Sequence, residues 1–423
     1  MTEEEAFAYY QKLGQLGSVP GLEVIRELLR RLGNPQEGLP VVQIAGTNGK
    51  GSVGAFLRSI LKQAGITTAS FSSPAVYHYR ESILLDHQMI SSSEYAGYME
   101  QVRFFAEQMA SEGKPHPTAF EVETALAFVF AAAHGVSVFL VETGMGGTLD
   151  ATNVCRRNLC SVVTTVAKDH TSFLGETLGE IAAHKAGIFK ERCPVVLQRQ
   201  CPEVMQVLLS RAEELECPVS LVDCRQVDVV RQNYEGTLGL KGEFQYENAS
   251  LAACAARCLI KQGVPLTERH IRDGLMNAVW RGRFTKIGDL PEFWVDGAHN
   301  PNGAAALCAT IQKQFAGRPI FGIMGVFRDK EAAQMGRLVS PYMKKMVTVT
   351  PPGNRGLPAQ ELKQILETCC SDVCAAPSVE VAVQKAVAWC RCQSRAVMIA
   401  FGSLSYLKDA EQAYRDCLAV QDV

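Results

Sequence analysis

A glycine-rich heptapeptide near the start of the chain carries residue types that bind phosphate. It consists of Gly46, Thr47, Asn48, Gly49, Lys50, Gly51 and Ser52. A predicted strand at 41–45 precedes it, and a predicted helix at 53–64 follows it. Glycines let backbone N–H groups turn toward an anion, a helix N-terminus attracts negative charge, and Lys50 can reach the β- and γ-phosphates. The heptapeptide therefore predicts a nucleotide-binding loop. The general P-loop has Gly at position 44 and Ser or Thr at position 51, so a glycine-rich turn without nucleotide is the alternative.

Strand-like and helix-like segments alternate from Pro40 onward, which is typical of crossover units feeding a mostly parallel sheet. The first series has predicted strands at 41–45, 68–71, 136–141, 161–166 and 195–198, with helices at 53–64 and 120–134. The second has strands at 293–296, 320–324, 346–350 and 396–401, with helices at 301–315, 358–369 and 379–392. The strands are nearly continuous apolar runs, so we expect both sheet faces to be covered.

Two domains follow from this alternation, at residues 1–285 and 286–423, with the Gly- and Pro-containing stretch 285–291 as the link. The segment 223–242 is short and β-prone, with a turn at 233–236, and predicts a small antiparallel hairpin. The expected fold class is α/β: a P-loop-type, mostly parallel sheet flanked by helices, followed by a smaller C-terminal α/β domain of Rossmann-like type.

Composition excludes several classes of function. The 423 residues carry a net charge of −2, and no Lys/Arg run is longer than a pair, so we expect no nucleic-acid or membrane partner. The acidic N-terminus does not resemble a secretory signal, and no apolar run is long enough to cross a bilayer. The 15 scattered cysteines indicate reduced thiols in a cytoplasmic protein. No heptads are visible, and we expect a monomer.

The phosphate loop and several further blocks resemble folylpolyglutamate synthases and dihydrofolate synthases, which are ATP-dependent enzymes of the Mur ligase superfamily. The further blocks are Ser72-Ser73-Pro74, Phe120 to Ala125, Glu142 to Gly147, Leu149 to Asn153, Asp169 to Gly175, His184 to Ile188, Asp296 to Pro301, Asp329-Lys330 and Gly402 to Leu404. They occur in the family's order from about residue 40 to residue 407. Asp150 within its block is similar to the bifunctional bacterial enzymes.

The resemblance implies an amide-forming reaction with ATP and Mg²⁺ as cofactors, and with a monovalent cation as a further candidate. A pterin carboxylate takes the γ-phosphoryl group of ATP, and the amine of L-glutamate attacks the acyl phosphate. The implied partners are therefore small molecules: a pterin or folate, L-glutamate and ATP. Since several anionic groups must meet, cations are needed to offset their repulsion.

The resemblance also implies a set of magnesium ligands. Ser52 is matched to the magnesium of ATP, whereas Ser73, Glu142 and His170 are matched to a second ion. These residues lie in loops that follow predicted strands, and the carboxyl ends of parallel strands converge on one crevice. Lys185 matches a family lysine that reacts with carbon dioxide to give an anionic carbamate. From the sequence alone, the alternative for Lys185 is a solvated helix lysine, and the alternative for His170 is a hydrogen-bonded turn residue.

Other roles follow from the resemblance in the same way. The predicted catalytic residues are Lys50, Lys185, Arg283, Asp296 and His299. Arg283 and Asp296 are also predicted ATP contacts, and Asn248 is assigned to the adenine. Phe120, Asp150 and Ser403 are assigned to the substrate. A surface arginine is the alternative for Arg283, and a turn carboxylate is the alternative for Asp150.

Three departures from the family bear on pterin recognition. Ala75 and Val76 replace the family's His-Leu, Ser82 replaces an arginine after Glu81, and Thr148 replaces an arginine after Gly-Gly. Arg80 is a candidate to supply the cation lost at position 82.

Three other functions compete with this interpretation. A P-loop kinase or motor ATPase would carry a strand ending in Asp, where this chain has Glu142. A ligase acting on a cell-wall nucleotide would carry an extra N-terminal domain. A non-catalytic ATP-binding regulator would leave Arg283 and His299 without a phosphoryl group to stabilise.

Overall fold

The computed structural model describes residues 1–14, 17 and 20–419. These residues form two compact units. The first comprises Met1–Gly239 and Tyr246–Val279, and the second comprises Leu240–Gln245 and Trp280–Val423. The functional roles given to the two domains stay predictions.

The first unit contains an eight-stranded sheet. Its strands are β1 (Val41–Ala45), β2 (Thr68–Phe71), β3 (Ile83–Leu85), β4 (Gln88–Met89), β5 (Val138–Glu142), β6 (Cys160–Val163), β7 (Val195–Gln198) and β8 (Val219–Val222). The order across the sheet is β4-β3-β2-β5-β1-β6-β7-β8. In this order, every neighbouring pair from β2 across to β8 is parallel. Strand β3 pairs antiparallel with both β2 and β4. The carboxyl ends of β1, β2, β5 and β6 therefore lie along one edge, where the candidate residues follow.

Helices cover both faces of this sheet. They are α1 (Glu3–Leu13), α2 (Glu23–Arg31), α3 (Lys50–Gln63), α4 (Ser92–Ser111), α5 (Ala119–Ala133), α6 (Thr171–Leu174), α7 (Leu178–Ala186), α8 (Pro202–Glu214), α9 (Cys224–Tyr234), α10 (Gln245–Lys261) and α11 (Glu268–Asn277). On one face, one core packs α1, α2, α4 and α5 against the sheet, and another packs α7 and α8 against β6 and β7. Helix α3 covers the opposite face, where a Cβ on Gly54 would lie 3.7 Å from Ile44 Cδ1. Both α5 and α7 begin with capping boxes, which fix where these helices start.

The second unit contains a six-stranded sheet. Its strands are β9 (Thr285–Asp289), β10 (Glu292–Val295), β11 (Ile320–Met324), β12 (Lys345–Thr348), β13 (Val373–Ala375) and β14 (Val397–Phe401). The order is β13-β12-β11-β14-β10-β9, and only β9 is antiparallel to its neighbour. Its helices are α12 (Pro301–Gln314), α13 (Ala332–Val339), α14 (Ala359–Leu366), α15 (Val379–Arg391) and α16 (Leu407–Ala419).

The predicted α/β fold class is confirmed. Among the described residues, no helix is both long enough and apolar enough to cross a membrane.

Two local predictions were wrong. The segment predicted as a hairpin contains helix α9 instead, because the Asp223 side chain accepts hydrogen bonds from the backbone N–H groups of Arg225 and Gln226 and completes a capping box. The predicted link at 285–291 is strand β9 and the turn into β10. Glycine and proline are as typical of a tight turn as of a boundary, and here they mark the turn.

Candidate active site

The phosphate loop is held in shape by the segment that follows β6. The Thr47 backbone N–H donates to the Thr165 carbonyl at 2.7 Å, and the Thr47 hydroxyl donates to the Ala167 carbonyl at 2.9 Å. On the other side of the loop, the Thr164 hydroxyl donates to the Asn48 carbonyl at 2.6 Å. Gly46 allows this close approach, because a Cβ there would lie 1.7 Å from Thr164 Oγ1. These contacts fix the conformation of the loop.

Gly49 brings the loop against helix α10. Its φ of +92° is in the left-handed region that favours glycine, and a Cβ there would lie 2.4 Å from Asn248 Oδ1. Asn248 is itself buried. The structure therefore places Asn248 beside the phosphate loop, while its assignment to the adenine stays a prediction.

Lys50 lies at the centre of the candidate site. Its Nζ donates to the Gly46 carbonyl at 3.1 Å and lies 3.8 Å from Glu142 Oε1. Glu142 ends β5, which is parallel to β1 with Ile44 opposite Glu142. A cation that can bind phosphate and a carboxylate that can bind metal are thereby adjacent at the sheet edge.

Lys185 is a buried amine on α7 rather than a solvated helix lysine. Gly147 lets its loop pack closely on this part of α7. A Cβ on Gly147 would lie 2.4 Å from the His184 carbonyl and 3.1 Å from Lys185 Cα. Burial lowers the pKa of Lys185 to about 7, and the nearby charge of Lys50 acts in the same direction. An appreciable fraction of Lys185 is therefore neutral at pH 7.

Ser52, Ser73 and His170 complete the set of predicted metal ligands. Ser52 is buried in the first turn of α3, and Ser73 is half-buried after β2. His170 precedes α6 with a φ of +52°, and its Nε2 lies 4.0 Å from Asp169 Oδ1. No three His, Cys, Asp or Glu side chains within residues 1–14, 17 and 20–419 form a ready-made metal cage. The roles of Ser52, Ser73, Glu142, His170 and Lys185 as magnesium ligands stay predictions.

Asp150 is engaged within its own loop. One carboxylate oxygen accepts from the Met145 backbone N–H at 2.7 Å, and the other accepts from the backbone N–H and hydroxyl of Thr152 at 3.0 and 2.6 Å. Burial raises its pKa against the opposing effect of these hydrogen bonds. These contacts stabilise the loop, and a contact with substrate stays a prediction.

Phe120, a predicted substrate residue, forms an apolar wall at the same sheet edge. A Cβ on Gly144 would lie 2.6 Å from Phe120 Cζ, so the ring packs directly on the loop after β5. Its centroid is 5.9 Å from that of Phe71, which ends β2.

Arg80 and Ser82, at and beside the position where the family has an arginine, contact other parts of the first unit. Arg80 Nε lies 2.9 Å from Glu3 Oε1, and Arg80 Nη1 donates to the Ile90 carbonyl at 2.7 Å. Ser82 instead meets Glu123, a residue that the sequence analysis did not select individually. The partners of Glu123 are far away in sequence. The one signal in the sequence is that a glutamate occurs within a largely apolar helix.

The second unit gathers Arg283, Asp296 and His299 around one turn. A Cβ on Gly297 would lie 1.8 Å from Arg283 Nη1, so the glycine makes room for the guanidinium. Asp296 accepts from the backbone N–H groups of Phe284 and Ala298, both at 2.8 Å. His299 Nδ1 lies 2.8 Å from the Gly297 carbonyl. Burial raises the pKa of Asp296, and the charge of Arg283 opposes that effect.

Ser403, the remaining predicted substrate residue, also lies in the second unit. It follows β14, is buried, and its Oγ is 2.9 Å from that of Ser405.

The fold and these sites define a Mur-type ligase. Residues 282–404 match the family described as Mur ligase, glutamate ligase domain. The dihydrofolate synthase/folylpolyglutamate synthase of Bacillus subtilis (strain 168) is 35% identical over 339 residues, covering 76% of this chain and 79% of that protein. The chain belongs to this family of dihydrofolate and folylpolyglutamate synthases. It is an ATP-using ligase, and the kinase, motor and regulator alternatives are wrong.

Solved structures agree with this assignment. Folylpolyglutamate synthase of Mycobacterium tuberculosis complexed with ADP superposes with a TM-score of 0.88 at 28% identity, covering 97% of this chain and 99% of that chain. E. coli FolC in complex with DHPP and ADP gives a TM-score of 0.82 at 25% identity, covering 100% and 99%.

Proposed function

We propose that the chain adds L-glutamate to a pterin carboxylate, that of dihydropteroate, of a reduced folylpolyglutamate, or of both. A carboxylate oxygen of the substrate attacks the γ-phosphorus of ATP, and ADP leaves. The amine nitrogen of glutamate then attacks the acyl carbon and loses a proton, and phosphate leaves. The observation that carries this proposal is the cluster of Lys50, Glu142 and buried Lys185 beside the phosphate loop, in a chain of this family.

Magnesium fits the donors of the first unit, because Mg²⁺ prefers oxygen ligands and the candidates present serine hydroxyls and a carboxylate. Ser52 would hold the magnesium of ATP, whereas Ser73, Glu142 and His170, with Lys185 in its carbamate form, would hold a second ion. Bound there, magnesium would neutralise negative charge that develops on the phosphates. The lowered pKa of Lys185 supports the carbamate, because only a neutral amine adds carbon dioxide.

Residues of the second unit serve the transferring phosphoryl group. Arg283 presents a planar cation suited to phosphate oxygens, and Asp296 fixes the turn that carries His299 through its two backbone hydrogen bonds. Phe120, Asp150 and Ser403 belong to the substrate side. A monovalent cation, a monomeric state and a cytoplasmic location complete the proposal.

The decisive assay measures ADP release by the purified protein with ATP, Mg²⁺ and L-glutamate, with dihydropteroate or tetrahydrofolate as acceptor. We expect ADP release that depends on acceptor and equals the glutamate incorporated, as measured by mass spectrometry of the pterin product. Failure of both acceptors to stimulate ADP release would refute the proposal. Glu142→Gln should abolish the activity, while Glu213→Gln, at an exposed position on α8, should retain it.

The carbamate has its own test. Protein incubated with ¹³C-bicarbonate should show a carbamate carbon resonance that is missing from Lys185→Met and present in Lys62→Met, which alters an exposed lysine on α3. A free amine at Lys185 under these conditions would contradict this part of the proposal.

A further inference from the structure

Glu123 is a fully buried carboxyl group held by two hydroxyls from distant parts of the first unit. Its Oε1 lies 2.7 Å from Ser82 Oγ, and its Oε2 accepts from the Tyr10 hydroxyl at 3.2 Å. Glu123 belongs to α5 and Tyr10 to α1, whereas Ser82 ends the 3₁₀ turn before β3. Glu123 forms no ion pair with any residue that the structure describes.

Counting hydrogens shows which state of Glu123 these contacts require. Ser82 Oγ lies close to two acceptors, Glu123 Oε1 and the Tyr79 carbonyl, the latter at 2.9 Å. With the contact to Tyr10 there are three oxygen–oxygen contacts, but the two hydroxyls supply only two hydrogens. A proton on Glu123 completes the set: the acid donates to Ser82, Ser82 donates to Tyr79, and Tyr10 donates to the other carboxyl oxygen.

The surroundings of Glu123 favour this protonated state. The groups that face it are Ser82 from the 3₁₀ turn, Tyr10 from α1 and Tyr95 from α4. Burial raises the pKa of Glu123 to about 7, against the opposing effect of hydrogen bonds from Ser82 and Tyr10. Glu123 in turn helps to raise the pKa of both tyrosines, after burial as the larger cause.

The loop 72–82, which Glu123 contacts through Ser82, carries a residue of the candidate site. The Ser82 carbonyl accepts from the Ser72 backbone N–H at 2.9 Å, which closes the segment 72–82 that contains Ser73. Tyr79 in this loop stacks on Phe7 of α1 with ring centroids 4.1 Å apart. The Tyr79 hydroxyl and Arg80 also bind Glu3 of α1. The Glu123 contacts are the buried end of this attachment.

We propose that Glu123 is a positioning residue: as a neutral acid it joins the loop 72–82 to α5 and α1 and thereby holds Ser73 at the sheet edge. The role of Ser73 rests on the proposed function. The position of the loop does not, since it is a property of the protein without ligands.

The proposal predicts a specific dependence on pH. The folded protein retains a proton between pH 4.5, the ordinary pKa of a glutamate, and about pH 7, whereas the unfolded chain has lost it. The contribution of Glu123 to stability therefore falls as pH rises through this window and is then constant. Above pH 7 the carboxylate leaves one contact without a hydrogen. Loss of one such bond should loosen the loop 72–82, which also carries the departures from the family at positions 75, 76 and 82 that bear on pterin recognition. The KM for the pterin acceptor should therefore rise about fivefold.

The first test uses protein without substrates. Infrared difference spectra between wild type and Glu123→Gln should show a protonated carboxyl C=O band near pH 6 that disappears by pH 9. In the same pH interval, the protection of amides in the segment 72–82 against hydrogen exchange, corrected for the intrinsic pH dependence of exchange, should fall in wild type but not in Glu123→Gln, because the amide donates to Ser82 without titrating. Absence of the acid band, or an equal change of protection in both proteins, would overturn the proposal.

The second test is kinetic and uses variants of both partners. In Glu123→Gln, the KM for the pterin acceptor should stay at the value that wild type has at low pH. In Ser82→Ala, this KM should be raised at every pH. The kcat of both variants should change little. Tyr10→Phe should move the rise in KM to higher pH, because the ionised form loses a donor. A wild-type pH profile in Glu123→Gln would overturn the proposal. If the infrared and exchange results hold but no acceptor stimulates ADP release, the proposed function fails and the role in holding the loop stands.

Discussion

Replacing Lys185 with methionine should stabilise the protein while abolishing its activity. Methionine has a similar length and no charge, so it fits the buried site without a proton to accommodate. Burial and Lys50 lower the pKa of Lys185 from 10.5 to about 7. At pH 7 this lysine is protonated in the unfolded chain, whereas burial in the folded protein weakens its binding of the proton. At roughly 1.4 kcal/mol per pKa unit, this difference lowers the free energy of unfolding by about 4 kcal/mol. The free energy of unfolding of Lys185→Met should exceed that of wild type by about this amount at pH 7.

The sign of the pH dependence distinguishes this reasoning from a simple packing effect. Between pH 7 and pH 10.5 the unfolded chain binds a proton that the folded protein does not, so wild-type stability rises relative to the variant. The difference between the two proteins should therefore shrink by about 1.4 kcal/mol per pH unit. Guanidinium unfolding of both proteins in bicarbonate-free buffer measures it, with Lys62→Met as the exposed-lysine control. A difference that is independent of pH would refute the desolvation argument.

Three further predictions concern other parts of the chain. Gly147→Ala should cost about 1–3 kcal/mol of stability and impair activity, because its Cβ would meet the His184 carbonyl at 2.4 Å; thermal unfolding and ADP release measure both effects. Arg281→Ala should lower the free energy of unfolding by about 1 kcal/mol, because Arg281 contacts both carboxylate oxygens of buried Glu411 at 2.8 and 2.7 Å. Arg281 is half exposed, so the loss should be smaller at high salt, and unfolding at two salt concentrations tests this. All 15 thiols are free, and a thiol reagent should titrate the exposed ones first and the buried ones only after unfolding. The exposed thiols are Cys201, Cys224 and Cys392.

Much of the fold was predictable because buried parallel strands have an unambiguous signature. The bounds of β1, β2, β7 and β11 agree with the predicted ranges. Three of these strands, β1, β7 and β11, are short and largely apolar runs between turn residues. Edge strands such as β4 lack this signature, and Gln88 and Met89 are both exposed. Helix α9 was missed because its valines favour a strand, whereas a capping aspartate, a more local signal, decides the outcome.

The sequence predicts which residues form the candidate site, and their roles stay predictions, but it does not predict their environment. The phosphate loop is contiguous, so its sequence already contains its geometry. The burial of Lys185 depends on Gly147, 38 positions earlier, and that of Glu123 on Tyr10, 113 positions away. Local periodicity contains no information about such contacts, and a lysine beside alanines on a helix has the same pattern whether or not a loop covers it.

Two lysines in one site show how environment divides roles between identical side chains. Lys50 is close to a carboxylate, with Glu142 at 3.8 Å, and it lies in a loop shaped for anions. Lys185 is buried, and the charge of Lys50 adds to the burial in disfavouring its protonation. In the proposed function, the same pair of amines would supply one cation for phosphate and one neutral nucleophile for carbon dioxide. A second cation at Lys185 would repel Lys50, whereas a carbamate there would attract it, so the proposed modification would replace a repulsion between the two side chains with an attraction.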